Sequence, residues 1–186
     1  MQCIKSRQTI EDVIKKSRFI GVIIPVNDEP EALQILGRLA SDYPDASHIA
    51  FAYRIWTEQA FICRFHDAGE PSGTAGKPIF QHLEGKDLIN VLVAVIRYFG
   101  GVKLGAGGLA RAYGNTAKHA IESAEIVDYV ELKTIRLTIA YHQMQQIEYQ
   151  LKKLDGQILQ QDFSEQIDLL VELPAINQNA LLQVLS

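Results

Sequence analysis

Apolar spacing along the chain changes period several times, and each change marks an element. Residues 18–26, RFIGVIIPV, are too continuously apolar for a strand with one wet face and predict a strand in the middle of a sheet. DEPEALQILGRLASDYP follows, with Leu33, Leu36, Leu39 and Ala40 at helical spacing, acids at Asp28, Glu29 and Glu31 before and within the first turn, and Pro44 beyond the last. HIAFAYRIW at 48–56 and AFICRFH at 60–66 are rich in aromatic and β-branched residues and read as a hairpin across Thr57, Glu58 and Gln59. A short helix at 79–85 and an apolar strand at 90–98 come next. A long helix at about 107–126 then carries Leu109, Tyr113, Thr116, Ala120 and Ala124 on one stripe, with Ala110, Ala117 and Ile121 beside it. These elements predict a mixed sheet with helices over one face.

The pattern restarts near residue 131. Ile135, Leu137, Ile139 and Tyr141 alternate with polar residues as in a half-buried strand, and Met144, Ile147, Leu151 and Leu154 recur at helical spacing. GQILQQDF and IDLLVEL supply two more strands, and Pro174 opens a helix carrying Ile176, Ala180, Leu181, Val184 and Leu185. The expected fold class is α+β in two domains, 1–130 and 131–186. The second has the order β-α-β-β-α, a ferredoxin-like βαββαβ sandwich without its last strand, so either a longer native chain or a three-stranded sheet is expected.

Composition narrows the function classes. Hydrophobic residues are 47 % and charged residues 22 % of the 186, a globular balance, and no run approaches the roughly 20 apolar residues of a membrane span. The N-terminus has no apolar signal core, and Cys3 and Cys63, the two cysteines, form no CxxC. A cytoplasmic protein with no membrane partner is the expectation, with Cys63 a small buried hydrophobe. The net charge of -4 excludes a basic coat over the whole surface, yet the 34 residues between Asp87 and Glu122 contain no acid and four cations, Arg97, Lys103, Arg111 and Lys118.

Two glycine-rich segments bracket the candidate chemistry. DAGEPSGTAGKP (67–78) has three glycines and two prolines, and GGVKLGAGG (100–108) has five glycines in nine positions. The second serves either tight turning and close helix approach or anion contact through backbone amides beside Arg97, Tyr98 and Phe99. Neither segment is a GxxxxGK[ST] phosphate loop or a GxGxxG dinucleotide turn. The five histidines are dispersed, so no metal and no cofactor is expected; HDAGE at 66–70 is an unattractive metal run because neighbouring strand residues point apart. Glu70 as a base with Ser72 or Thr74 as nucleophile, and Lys103 with Arg111 as an anion clamp, form a competing reading as a phosphate ester hydrolase or transferase.

KKSRFIG (15–21), DASHIAFAYR (45–54), HDAGEPSGTAGKPI (66–79) and VIRYFGGVKLGAGGLARAY (95–113) together resemble the IMPACT family, also called uncharacterised protein family 0029 or the YigZ group. The resemblance implies that the first domain is similar to the second domain of ribosomal protein S5, and the second to domains near the C-terminus of elongation factor G. It also implies RNA, ribosome or translation-linked binding. Eukaryotic relatives restrain a stress-activated translation kinase through a partner protein and carry an extra domain, so that circuit is not expected to transfer intact. Ala68 stands where the family commonly has another acid.

The expected activity is therefore non-catalytic binding of RNA or a ribosome-associated component, with an acidic protein partner as the alternative. The expected contact set is Arg18, Arg54, Lys77, Arg97, Tyr98, Lys103, Gly105, Gly107, Gly108 and Arg111. The two glycine segments are expected to be neighbours, with Arg97 or Lys103 accessible between them.

Overall fold

The computed structural model describes residues 1–184, and the chain divides into two compact units, Met1–Tyr129 and Val130–Ser186. The first unit opens with β1 (Gln2–Ile4), β2 (Gln8–Ile14) and β3 (Ser17–Pro25). After α1 (Glu29–Asp42) come β4 (His48–Trp56), β5 (Phe61–His66), α2 (Gly76–Gly85), β6 (Val91–Tyr98), α3 (Gly105–Glu122) and β7 (Ile126–Asp128). Five strands form one sheet in the order β2-β3-β6-β4-β5, and every neighbouring pair is antiparallel. The expected mixed sheet is thus corrected: β6 runs against both of its neighbours, and tight hairpins join the outer pairs.

Helices lie on both faces, not one. Phe19, Ile23, Val91, Val93 and Val95 pack under α2 and α3, whereas Ile20, Val22, Ile24, Leu92, Ala94 and Ile96 face α1. This double burial, worth roughly 1.5–3 kcal/mol per fully buried large aliphatic side chain, is why RFIGVIIPV has no polar alternation. The α1 helix starts at Asp28, whose carboxylate accepts the Glu31 N–H at 2.8 Å. Its buried stripe runs through Ala32, Ile35, Leu36 and Leu39, leaving Leu33 and Ala40 exposed, one step round from the expected stripe. Cys63 is exposed because β5 is an edge strand, which corrects its expected burial.

The first sixteen residues also form strands that the sequence reading left unassigned. In β2, Ile10 and Ile14 face the core while Asp12 between them accepts from Thr116 Oγ1 at 3.2 Å and pairs with His119 Nδ1 at 2.8 Å. Ile14 pairs with Ser17 across a two-residue turn whose central residues, Lys15 and Lys16, have φ of 45° and 67°. That is a type I′ turn, which favours Asn-Gly; a left-handed L-residue costs about 1–2 kcal/mol. Next to it Gly100 is obligatory, since a Cβ there would overlap the Lys16 carbonyl.

The second unit contains β8 (Leu132–Ile139), α4 (Met144–Lys153), β9 (Gln157–Phe163), β10 (Ile167–Pro174) and α5 (Gln178–Val184). Its sheet has the order β8-β10-β9, antiparallel throughout, and Leu137, Ile139, Ile147, Leu151, Leu169, Val171 and Leu181 share one core. Tyr141 leaves the strand and is exposed. Leu185, expected on the last helix, lies outside the described residues. Among the described residues no helix is long and apolar enough to cross a membrane.

The two glycine environments predict opposite responses. Gly100→Ala is expected to lower the unfolding free energy by about 1–3 kcal/mol through steric overlap. Gly107→Ala, with open space around its Cβ position in α3, is expected to raise it by up to ~1 kcal/mol. Urea unfolding of the two variants checks both signs.

Candidate nucleic-acid interface

Alternation along β6 decides the fate of Arg97. Val91, Val93 and Val95 point toward α2 and α3, so Arg97 does too, and it is 5 % exposed. Its Nη1 donates to Glu70 Oε1 at 2.6 Å, and Tyr113 Oη donates to the same oxygen at 2.8 Å. Its Nη2 donates to Ser17 Oγ at 3.4 Å. The Phe19 and Phe99 ring centres each lie 5.5 Å from Cζ. Burial pushes the Tyr113 phenol pKa well up, and the bond to Glu70 adds to it, so Tyr113 acts as a fixed neutral donor. His48, opposite Arg97 in register, donates from Nδ1 to the Ala68 carbonyl at 2.8 Å and sets Nε2 3.7 Å from Glu70 Oε1. Among the described residues Arg97 Nε is the buried side-chain polar atom without a partner.

Glu70 of the first glycine segment bonds to Arg97 and Tyr113, the residues on either side of the second segment in sequence. At Arg97 this makes a buried ion pair and not an open cleft. Arg97 is therefore corrected from surface contact to internal cation, and Glu70 from free base to the acceptor of two internal donors. Thr74 is equally committed: its hydroxyl donates to the Pro71 carbonyl at 2.6 Å. Ser72 is exposed, and among the described residues no hydrogen bond joins it to a histidine or carboxylate. The proposed catalytic set of Glu70, Ser72 and Thr74 is not assembled.

Asp67 organises the first glycine segment. Its Oδ2 accepts the Gly73 N–H at 2.8 Å, and its Oδ1 accepts the Ala75 and Gly76 N–H groups at 3.0 and 2.8 Å. Burial pushes the Asp67 carboxyl up, but the three amides together outweigh it and hold the carboxyl below its usual range. The amides that might have cradled an external anion are thus filled by the chain's own carboxylate. Gly76 fits because its Cβ position lies against the His66 backbone.

The second segment is arranged differently. The α3 helix starts after Leu104 with no side-chain cap and no acid in its first turn, and Gly105, Ala106 and Gly107 are exposed. Lys103 precedes that turn and Arg111 follows two turns on, both exposed. Arg111 also lines a shallow groove of about 290 Å³ between α2 and α3, with Pro78, Gln81, His82, Gly114 and Asn115. Burial and then Lys118 push the His82 pKa down. Lys77 is exposed near the start of α2.

The remaining candidates do not converge with these. Arg18 and Tyr98 sit opposite each other in register on the α1 face, with Arg18 Cζ 5.2 Å from the Tyr98 ring, and Arg18 pairs with Glu11 at 2.8 Å. Arg54 is at the other end of β4, opposite Val91, held by Asp87 at 3.0 Å and the Leu88 carbonyl at 3.1 Å. The single contact surface expected from all ten residues is corrected by this geometry. Missed by sequence reasoning were Tyr113, read only as a stripe residue, and Asp67, whose fixed spacing to Gly73, Ala75 and Gly76 is the signal of a loop-capping carboxylate.

Because the folded Asp67 carboxyl is below its ordinary value of 3.8, its stabilisation is present above that pH and is lost as pH falls through the folded value. Asp67→Asn is expected to be less stable than the parent at pH 6, with the difference shrinking near pH 3. Urea unfolding at the two pH values checks this; an equal difference at both would refute it.

Comparison with known proteins follows the same division. The model of the Impact N-terminal domain matches residues 15–121, and that of a domain of unknown function, DUF1949, matches residues 137–186. The IMPACT family member YigZ of Escherichia coli is 34 % identical over 168 residues, covering 90 % of this chain and 82 % of YigZ. The IMPACT family member YvyE of Bacillus subtilis is 35 % identical over 158 residues, covering 85 % and 72 %. A crystal structure titled as a hypothetical protein superposes with a TM-score of 0.71 at 32 % identity, covering 97 % of this chain and 88 % of that one. With one family model spanning more than half of its length and relatives aligned over most of theirs, the chain belongs to the IMPACT family.

Proposed function

We propose that the first unit is a non-catalytic binding module for RNA or a ribosome-associated component, with a role connected to translation. The observation that carries this is the first turn of α3: free of a side-chain cap and of acids, exposed, and flanked by Lys103 and Arg111. Helix N-terminal amides and the helix dipole attract anions. Neither cation has a carboxylate within salt-bridge distance among the described residues. In the first glycine segment the same kind of amide is already satisfied by Asp67, so external phosphate is drawn to α3. Lys77 and the α2–α3 groove extend the surface, and Gly105, Gly107 and Gly108 let a backbone approach closely.

We read the first unit as similar to the second domain of ribosomal protein S5, and the second unit as ferredoxin-like. Support for the latter is the strand order β8-β10-β9, the order of the first three strands of a βαββαβ sandwich.

In this reading Lys103→Gln and Arg111→Gln each weaken binding of a 12-residue oligouridine several-fold at low salt, with little dependence on sequence. Each lowers the slope of log K against log salt by about 0.7. Fluorescence anisotropy across a salt series measures both. Unchanged affinity in both variants, with binding of an acidic protein lost instead, would overturn the RNA assignment.

A further inference from the structure

The β2–β3 hairpin turns on two residues whose side chains disfavour the geometry that a two-residue loop requires. Lys15 and Lys16 both occupy the left-handed region, where Asn-Gly would be relaxed, and both side chains are exposed. Among the described residues neither has a carboxylate within salt-bridge distance, and Glu11 on the same hairpin is taken up by Arg18. The turn is also rigidly tied to the end of β6. Gly100 packs on the Lys16 carbonyl and donates its N–H to Ser17 Oγ at 3.2 Å, and the Phe99 N–H donates to Ser47 Oγ at 3.0 Å.

These bonds hold the Phe99 backbone in place; the residue is 50 % exposed, and the Arg97 guanidinium lies beside its ring. A large apolar ring whose neighbour Gly100 packs on the Lys16 carbonyl, beside two lysines with no carboxylate partner among the described residues, offers a stacking surface near a pair of phosphate sites. Lys103, three residues beyond Gly100, adds a third unpaired cation within about 11 Å of chain reach. Bases offer a flat face to such a ring whatever their identity, and the phosphates on either side match the lysines. A duplex would keep its bases stacked on each other and leave Phe99 unused.

We propose that the Lys15–Lys16 turn and Phe99 form a single-stranded nucleic-acid contact: the lysines bind consecutive phosphates and Phe99 stacks on the base between them. The strained turn is retained because it places two charges where a relaxed Asn-Gly turn would place none. This inference rests on the RNA-binding reading above, but Lys15, Lys16 and Phe99 are not residues of that reading, so the two can fail separately.

The test is Lys15→Asn/Lys16→Gly in the full chain, with Phe99→Ala as the companion, binding a 12-residue oligouridine and the matching oligodeoxythymidine. The double variant is expected to melt several degrees higher, to bind about tenfold more weakly, and to show a salt slope lower by about 1.4. A rise in melting temperature rules out misfolding as the cause of the loss. Phe99→Ala is expected to weaken binding about tenfold at an unchanged salt slope. Equal effects on both oligomers support a contact with the shared phosphates and bases, and effects on the ribose form alone support an RNA contact. Parental affinity in the double variant, while Lys103→Gln still weakens binding, would overturn this inference and leave the α3 reading standing. Failure of the parent chain to bind either oligomer would overturn both. Binding of a polyglutamate peptide that needs the lysines but not Phe99 would overturn the nucleic-acid assignment in favour of an acidic protein.

Discussion

The ion pair between Arg97 and Glu70 is the constraint around which the first unit is assembled. An arginine at the end of the central strand points into the helix-covered face, where an unpaired charge would be prohibitively costly. Glu70 meets it from the first glycine segment and Ser17 from the β2–β3 hairpin, while Tyr113 on α3 donates to the same Glu70 oxygen. Four segments far apart in sequence are thereby fixed at one end of the sheet. The Tyr113 hydrogen bond to Glu70 also ties α3 to the end of β6 through Arg97.

Polar groups in this region fall into two populations. Asp67, Glu70, Thr74, Arg97 and Tyr113 are consumed by internal bonds that shape the loops, and their presence in motif-like sequence says nothing about ligands. Among the described residues the α3 first turn has no side-chain cap, Lys103, Arg111, Lys15 and Lys16 have no carboxylate partner, and Phe99 is half exposed. A buried scaffold of hydrogen bonds around one ion pair, with exposed cations and a half-exposed aromatic ring left over, fits the proposed binding role.

Much of the framework was legible in the sequence because burial leaves periodic traces. The doubly buried strands β3 and β6 and the small-residue stripe of α3 could be read directly, as could the antiparallel strands of the second unit. What escaped notice did so for identifiable reasons. Strand β2 has Asp12 on its inward face, so its alternation is broken by a residue whose partners, Thr116 and His119, lie over a hundred positions away. Arg97 looked like a surface cation because a run of seven buried residues ends on it, and its partner Glu70 is 27 residues upstream. The Lys15–Lys16 turn has no turn signature at all, since lysine is a poor choice for that geometry. Long-range pairing and locally unfavourable residues are the two things that periodicity does not encode.

The most direct measurement is a double-mutant cycle by urea unfolding on Glu70→Gln, Arg97→Met and their combination. Removing one partner of a buried pair is expected to cost about 3–5 kcal/mol because the other is left uncompensated. The double variant should then be more stable than the sum of the single losses allows, by at least ~2 kcal/mol. Single losses that add to within about 0.5 kcal/mol would mean that the two groups do not depend on each other, and the account of how this unit is held together would be wrong.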